Sequence, residues 1–260
     1  MKPRTRFLDL EFDPLTVDEA AAAIARRART LGPFAYVSTP NVDHVVRMER
    51  QPGQVALYDN AWMNLCDSRI LEAFAGASYI DLPATPGADV VEDLFRRHIA
   101  ASDTVLVIGG TAAMSATLRE RFGLKDLRWF DAPAGLREDA AARAACIRFI
   151  RENRAAYVFI AVGSPQQEQI AFDARQAGDC SGVAICCGAS LEFLTGATLR
   201  APLWMRMNRL EWLFRLFVEP VRMWKRYLVD APRIFAIWHR WRTGDYSPSA
   251  SPNSMAASSH

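Results

Sequence analysis

The sequence contains few cysteines, and none of them forms a C-x-x-C pair. The five cysteines are an odd number, and two of them are adjacent in the chain: Cys66, Cys146, Cys180, Cys186 and Cys187. A zinc site or a disulfide framework is therefore not expected. Buried thiols in a reducing compartment are the ordinary alternative.

Long apolar runs are also absent. No stretch approaches the roughly 18 consecutive apolar residues of a transmembrane helix. The N-terminal residues lead into an alternating pattern without the apolar segment of a signal peptide. We therefore expect a protein of the cytosol, or one peripheral to the inner face of a membrane.

Several motifs that would indicate particular chemistry are missing. The chain has neither a G-x-G-x-x-G fingerprint nor a Walker A lysine motif. It has no D-x-D motif, and its four histidines lie far apart in the sequence. We therefore expect no bound metal and no cofactor. The nearest acidic pattern is Asp9, Glu11 and Asp13, whose period of two predicts the solvated face of a strand.

The net charge is only +2, which argues against a dedicated nucleic-acid binder. This small total conceals an asymmetry. Residues 200–242 contain ten Lys/Arg against three Asp/Glu, and they hold five of the seven tryptophans. The chain is therefore interpreted as an acidic body (1–199), a basic, Trp-rich helical appendage (200–244) and a disordered, Ser-rich tail (245–260). A body of this kind should fold without the appendage.

Strands and helices alternate along the body. Apolar and β-branched runs predict strands at Phe34–Ser38, Trp62–Cys66, Thr104–Ile108, 127–131, Tyr157–Val162 and 183–187. Helical patterns are predicted at 16–30, where Thr16 and Glu19 have capping-box spacing, and at 111–122, 138–153, 166–177 and 188–195. This alternation is typical of an α/β fold with a mostly parallel, Rossmann-like sheet.

Small and polar residues follow these strands, at the edge where open parallel sheets bind ligands. Gly109-Gly110 and Gly163-Ser164 each precede a helix, so they could present backbone N–H groups to phosphate or could form plain turns. Asp67 could be a general base or could cap the next helix. Thr39 and Asn41 could likewise belong to the ligand site or could only form a turn after the strand.

An ordered set of motifs resembles a known family. The motifs are Gly163-Ser164-Pro165-Gln166-Gln167-Glu168, the run Gly188–Gly196, Ala201-Pro202, Leu210–Leu216, Glu219-Pro220 and Lys225-Arg226-Tyr227, with Thr39-x-Asn41, Asp67 and Asp89 upstream. The chain resembles the WecG/TagA/CpsF glycosyltransferases, glycosyltransferase family 26, over roughly residues 5–230.

The resemblance implies a Rossmann-like fold with a C-terminal, membrane-directed appendage. It implies an inverting, metal-independent hexosyltransferase that moves a sugar from a UDP-sugar donor to a polyprenyl-diphosphate-linked saccharide. Such an enzyme would act in surface or exopolysaccharide synthesis, on the inner face of the bacterial inner membrane. The partners implied are the donor, the lipid-linked acceptor and an anionic membrane surface, with no nucleic acid.

The resemblance also assigns roles to residues. By position, Asp67 matches the base, and Thr39, Asn41 and Gln167 match polar residues around the reacting sugar. Arg215, Arg222 and Arg226 become candidates for diphosphate contacts. The UDP-binding candidates are the strand-end glycines and one acidic residue: Gly109, Gly110, Gly163, Gly188 and Glu192. Ser68 stands where many relatives have glycine, so the turn after Asp67 is expected to differ.

The appendage pattern taken alone favours a membrane role, with a core-packed helix whose arginines are merely solvated as the alternative. Phe217, Val221, Trp224 and Leu228 form an apolar stripe at helical spacing. Tryptophan combined with Arg and Lys is typical of interfacial helices. Two other functions stay open: a nucleotide-cofactor oxidoreductase on a similar sheet, and a non-catalytic membrane adaptor. The donor also stays open between UDP-glucose, UDP-N-acetylmannosamine and its uronate.

Overall fold

A computed structural model describes residues 2–133, 135–202, 204–205, 211–218, 220–224 and 232–244. Its centre is a six-stranded, fully parallel sheet in the order β4-β3-β8-β7-β5-β6, and a separate antiparallel hairpin is formed by β1 and β2. The strands are β1 Thr5–Phe7, β2 Leu10–Phe12, β3 Ala35–Ser38, β4 Met63–Asn64, β5 Thr104–Gly109, β6 Asp126–Phe130, β7 Tyr157–Ala161 and β8 Val183–Cys186.

The chain order places β3 and β4 in one half of the sheet and β5 and β6 in the other. After β4 the chain crosses to β5, and β7 and β8 later fill the positions between the two halves. The carboxyl ends of all six strands lie at one edge, because every pairing in this sheet is parallel. The predicted parallel α/β class is therefore confirmed.

Helices of the body cover both faces of the sheet. The described helices are α1 Val17–Ala28, α2 Val42–Arg50, α3 Val55–Asp59, α4 Arg69–Gly76, α5 Gly87–Asp93, α6 Ala112–Phe122, α7 Ala140–Asn153, α8 Gln166–Ala177, α9 Ser190–Thr195, α10 Glu211–Val218, α11 Pro220–Trp224 and α12 Arg233–Thr243. The predicted helices of the body are confirmed as α1, α6, α7, α8 and α9. Thr16 and Glu19 form the predicted capping box at the start of α1.

The alternation of side chains along β7 explains the two main cores. Tyr157 and Phe159 lie in the cluster that includes residues of α1, α5, α6 and α9. Val158 and Ile160 lie in the cluster with α7 and α8. All four are buried, which is typical of a parallel strand covered on both faces. Removing one such side chain to alanine costs about 2–5 kcal/mol.

A third core joins the N-terminal hairpin to α12, and we call it the hairpin core. Phe7 and Phe12 from the hairpin, Val45 from α2 and Ile237 from α12 are all buried in it. Trp238 stacks on Phe74 with ring centroids 4.8 Å apart. Residues 1–199 therefore do not contain the whole of their own core, although the sequence favoured a body that folds without the appendage.

The hairpin also corrects the interpretation of the acidic pattern. Asp9 lies in the turn between β1 and β2 with a positive φ of 59°. Asp13 follows β2 and is buried, where it accepts the backbone N–H of Asn64 at 2.9 Å and pairs with Arg4 at 3.3 Å. The period-two pattern is therefore not a solvated strand face, because the turn interrupts it and the last carboxylate faces inward.

The described part of the chain contains no helix long and apolar enough to cross a bilayer. All five cysteines are free and buried.

Candidate functional site

The candidate base lies beside the residues that follow β3. The backbone N–H of Leu65 donates to the carbonyl of Ser38, and that of Asp67 donates to the carbonyl of Pro40, both at 3.0 Å. These bonds continue the β3–β4 pairing beyond the two strands. They fix half-buried Asp67 next to the Thr39–Asn41 segment, so the sequence motifs are brought together as expected.

The helix after Asp67 is capped by its neighbour. The Ser68 side chain accepts the backbone N–H of Leu71 at 3.2 Å, which makes Ser68 the N-cap of α4. The N-cap position, one of the two roles left open for Asp67, is therefore occupied by Ser68. The φ of Ser68 is −159°, an extended conformation that any residue adopts, so serine needs no left-handed turn here.

Thr39 lies against the start of α5. A Cβ atom added at Gly87 would meet Thr39 Cγ2 at 3.0 Å and Oγ1 at 3.1 Å. Glycine at this position therefore lets the first turn of α5 approach Thr39 closely. The far side of α5 pairs with the start of the appendage, since Asp89 lies 2.8 Å from Arg200.

Asn41 caps α2. Its Oδ1 accepts the backbone N–H of Asp43 at 3.0 Å and lies 2.8 Å from Nδ1 of His44. The turn-forming role is therefore confirmed for Asn41. A substrate contact would have to be made in addition to this cap.

Gln167 is buried at the start of α8. The oxygen and the nitrogen of its side chain both form hydrogen bonds within the protein. Its Oε1 accepts the backbone N–H of Gly188 at 2.8 Å, and its Nε2 donates to Glu168 at 2.8 Å. Gln167 therefore joins the end of β7 to the end of β8. In this arrangement Gln167 fixes the position of the Gly188 loop by a hydrogen bond. The sequence alone did not indicate this role.

The sequence reasoning missed a buried pair beside these residues. His44 Nε2 lies 3.7 Å from Glu168 Oε1, and both side chains are almost fully shielded from solvent. Burial raises the pKa of Glu168, but the neighbouring side chains of His44, Gln167 and Ser164 outweigh burial and lower the pKa overall. The carboxylate is therefore held ionised inside the protein.

Arg47 extends this polar cluster towards the surface. It donates to Ser164 at 2.6 Å and to the Tyr58 hydroxyl at 3.3 Å. Burial, followed by the charge of Glu168, raises the pKa of Tyr58. The signal available in the sequence was the spacing of Asn41, His44 and Arg47, three residues apart, which places them on one face of a helix.

An open pocket of about 300 Å³ lies at the ends of β5, β6 and β7. Its lining includes Gly109, Gly110, Asp131, Leu136, Val162 and Gln166. Two of the five UDP-binding candidates are therefore placed in one cavity. Asp131 and Gln166 are polar lining residues that the sequence reasoning did not single out.

Gly109 is required by its surroundings. Its φ is +86°, and an added Cβ would lie 2.6 Å from Val162 Cγ1 and 2.9 Å from the Ala161 carbonyl oxygen. Thr111 then caps α6 by accepting the N–H of Met114 at 3.1 Å. The N-terminal end of a helix, which attracts anions, therefore begins beside the pocket.

The other UDP candidates do not line this pocket. Glu192 lies on α9 and accepts the Thr198 hydroxyl at 2.9 Å. Gly188 is held by Gln167, as described above. Gly163 has a positive φ of 79°, and no described atom lies within 4 Å of a Cβ built there. The structure thus places these three residues outside the cavity formed around Gly109 and Gly110.

The appendage candidates are described in part. Arg215 and Arg222 lie on α10 and α11, but their side chains fall outside what the structure describes, and Arg226 and Leu228 lie wholly outside the described residues. Phe217, Val221 and Trp224 are 75%, 88% and 51% exposed. This part of the predicted apolar stripe therefore faces solvent.

No group of three or more His, Cys, Asp or Glu side chains within the described ranges could hold a metal ion.

Comparison with known proteins identifies the family. The model described as the glycosyl transferase WecG/TagA/CpsF family matches residues 5–247. The chain is also similar to the N-acetylglucosaminyldiphosphoundecaprenol N-acetyl-beta-D-mannosaminyltransferase of Bacillus subtilis (strain 168), with 41% identity over 71 residues. That alignment spans 27% of this chain and 27% of the relative. Because the family match covers almost the whole sequence, this chain belongs to the WecG/TagA/CpsF family of glycosyl transferases.

Proposed function

We propose that this chain is an inverting, UDP-sugar-dependent hexosyltransferase. It moves a hexose or N-acetylhexosamine to a polyprenyl-diphosphate-linked saccharide in the synthesis of a surface or exported polysaccharide. Membership of a glycosyl transferase family supports the reaction class and argues against the oxidoreductase and adaptor alternatives.

The placement of Asp67 carries the proposal. Its backbone is fixed to Pro40 at the edge where both strand ends meet, and Ser68 takes the capping role beside it. A carboxylate held rigidly at the mouth of a sheet suits a general base, because the base must keep its position relative to the reacting oxygen.

In the proposed reaction, Asp67 accepts the proton of an acceptor hydroxyl. The oxygen forms a bond to the anomeric carbon of the donor sugar, and the bond from that carbon to the UDP oxygen breaks. UDP leaves with the bonding electron pair, and the proton stays on the carboxyl group. Attack opposite the leaving group inverts the anomeric configuration. Thr39, Asn41 and Gln167 orient the sugar.

The pocket around Gly109 and Gly110 is the proposed site for UDP. Two of its lining residues, Gly109 and Gly110, directly precede the N-cap of α6, and helix N–H groups there would favour the negative charge that develops on the departing diphosphate. Gly163, Gly188 and Glu192 are proposed to contact the nucleotide outside this cavity. No divalent cation is needed in this proposal, because cationic side chains can neutralise the diphosphate.

The appendage is proposed to supply those cations and to meet the membrane. Arg215, Arg222 and Arg226 would contact diphosphate, and exposed Phe217, Val221 and Trp224 would enter an anionic leaflet. In this proposal residues 1–199 form the catalytic body and 200–244 the appendage, while 245–260 lie outside the described residues. The enzyme would then work on the inner face of a bacterial inner membrane.

The printed name of the Bacillus relative describes transfer of N-acetylmannosamine to N-acetylglucosaminyldiphosphoundecaprenol. We therefore propose N-acetylmannosamine as the first donor sugar to test, with glucose and the uronate as further candidates.

A donor screen tests the proposal. The purified chain is incubated with a lipid-diphosphate saccharide and each UDP-sugar, with and without excess EDTA, and the products are resolved by mass spectrometry and anomeric NMR. Transfer with inversion that persists in EDTA supports the proposal. Transfer from no UDP-sugar contradicts it, as does retention of configuration.

A further inference from the structure

We propose that His44 and Glu168 form a buried positioning pair that holds Asn41 and Gln167 at fixed places across the ends of β3, β7 and β8. The inference rests on the proposed function, because Asn41 and Gln167 are substrate-binding residues only within it. The pair itself touches no proposed substrate atom, so its effect on catalysis would act through these two neighbours.

The pair is buried without full hydrogen bonding. The two side chains are 7% and 0% exposed, and 3.7 Å separates His44 Nε2 from Glu168 Oε1. Among the described residues, neither His44 Nε2 nor Glu168 Oε2 has a hydrogen-bond partner. Burying a carboxylate is costly unless a partner compensates it. Packing alone therefore does not explain the arrangement, because an apolar pair would pack equally well without the free-energy cost of burying a charge.

The contacts on either side of the pair supply that reason. His44 Nδ1 lies 2.8 Å from Asn41 Oδ1, and Glu168 Oε1 accepts from Gln167 Nε2 at 2.8 Å. Gln167 in turn accepts the Gly188 N–H. A continuous series of contacts thus runs from the cap of α2 to the loop after β8, and the pair forms its middle.

The orientation of the His44 ring follows from the neighbours of both ring nitrogens. Nε2 faces the Glu168 carboxylate at 3.7 Å. Nδ1 faces the Asn41 cap, 2.8 Å from Oδ1 and 3.2 Å from the backbone nitrogen. The ring orientation is therefore set by Glu168 at one end and by the Asn41 cap at the other. Loss of the carboxylate releases one of these two constraints.

The test uses His44→Gln, Glu168→Gln and the double variant, assayed with the donor found by the screen above. Misplacement of bound groups by about 1 Å can cost about 100-fold in rate. We expect each single variant to lower kcat by about 10- to 100-fold with little change in the donor KM. The double variant should be no worse than the poorer single variant, because both changes interrupt one series of contacts.

Asp13→Asn is the matched control. Asp13 is also a buried carboxyl group with a cationic partner, but it anchors the N-terminal hairpin. It should lower the melting temperature and leave kcat unchanged at temperatures below unfolding. If the His44 and Glu168 variants behave in the same way, the pair is merely structural and the inference is wrong.

Hydrogen exchange of the Gly188 amide gives a readout that does not depend on activity. That N–H is bonded to Gln167, so its protection should fall in both single variants while distant β5 amides keep theirs. Unchanged Gly188 protection would overturn the inference. A wild-type protein without transferase activity would instead overturn the proposed function, and the exchange measurement would still decide whether the pair holds Gln167.

Discussion

Trp241 packs edge-on against Phe7, with ring centroids 5.2 Å apart and ring planes at 79°. The last described helix and the first strand therefore pack in the same core, the hairpin core. Ile234 and Ile237 of the same helix are buried beside these rings, and Trp238 donates to Ser78 at 2.9 Å. The C-terminal segment thus combines exposed aromatic residues on α10 and α11 with a helix, α12, that belongs to the folded body.

Truncating Ile237 should destabilise the protein. Ile237→Ala removes a fully buried side chain, so it should lower the free energy of unfolding by about 2–5 kcal/mol. Chemical denaturation measures this loss, with His239→Ala on the exposed side of α12 as the control. Deleting residues 232–260 should lower stability further, whereas deleting 245–260 should not. Equal stability of the two deletions would show that α12 contributes nothing to the core.

Asp67→Asn should abolish most of the turnover. Asparagine keeps the size of the side chain but cannot take the acceptor proton, so kcat should fall by about 10²–10⁴-fold while UDP affinity changes little. Ser68→Ala is the partner experiment, because it removes the α4 cap and should cost about 1 kcal/mol of stability. Normal turnover in a folded Asp67→Asn protein would remove Asp67 from the mechanism.

Gly109→Ala should impair UDP binding. The added methyl group would collide with the Ala161 carbonyl and Val162 beside the pocket, in addition to the strain of a positive φ. Gly178→Ala is a matched control, because Gly178 also has a positive φ, of 76°, but meets no described atom within 4 Å. Calorimetric titration with UDP should show weaker binding only in Gly109→Ala. Equal affinity in both variants would place the nucleotide elsewhere.

The exposed stripe of the appendage should bind anionic vesicles. Replacing Phe217, Val221 and Trp224 with serine removes apolar area that already faces solvent, so the melting temperature should change little. Sedimentation with vesicles containing anionic lipid should show reduced binding. Tyr79→Ser is the control, since Tyr79 is 98% exposed but lies in the body. Undiminished binding of the triple variant would assign membrane attachment to another surface.

Local patterns predicted much of the fold. Each predicted strand of the sheet has a counterpart in the structure, because apolar runs such as Tyr157–Ala161 are buried on both faces and have no helical alternative at that length. The helix expected after Asp67 is found as α4, whereas the short helices α2, α3 and α5 were not predicted. The helices α2 and α3 pack in the hairpin core, most of whose other residues lie far away in the sequence.

The candidate site was predictable at strand ends, as at Gly109, and where a family motif coincides with a strand end, as at Asp67. The pairing of His44 with Glu168 was not, because the two residues are distant in sequence and become neighbours only when α2 and α8 meet over the sheet. The burial of Asp13 could not be predicted from the sequence for a similar reason. Its partners, Arg4 and the Asn64 backbone, are set by the hairpin and not by its own strand pattern.

The position of β8 has a consequence for synthesis of the chain. In the part of the chain that the structure describes, β8 is the last strand made, yet it lies between β3 and β7. Until residues 183–186 emerge from the ribosome, β3 and β7 each have an unpaired edge, and the Asp67 side of the sheet is not joined to the pocket around Gly109. Exposed strand edges are prone to pair with other chains. Nascent or truncated chains that end before residue 183 should therefore aggregate, and chaperone capture should be strongest in that interval.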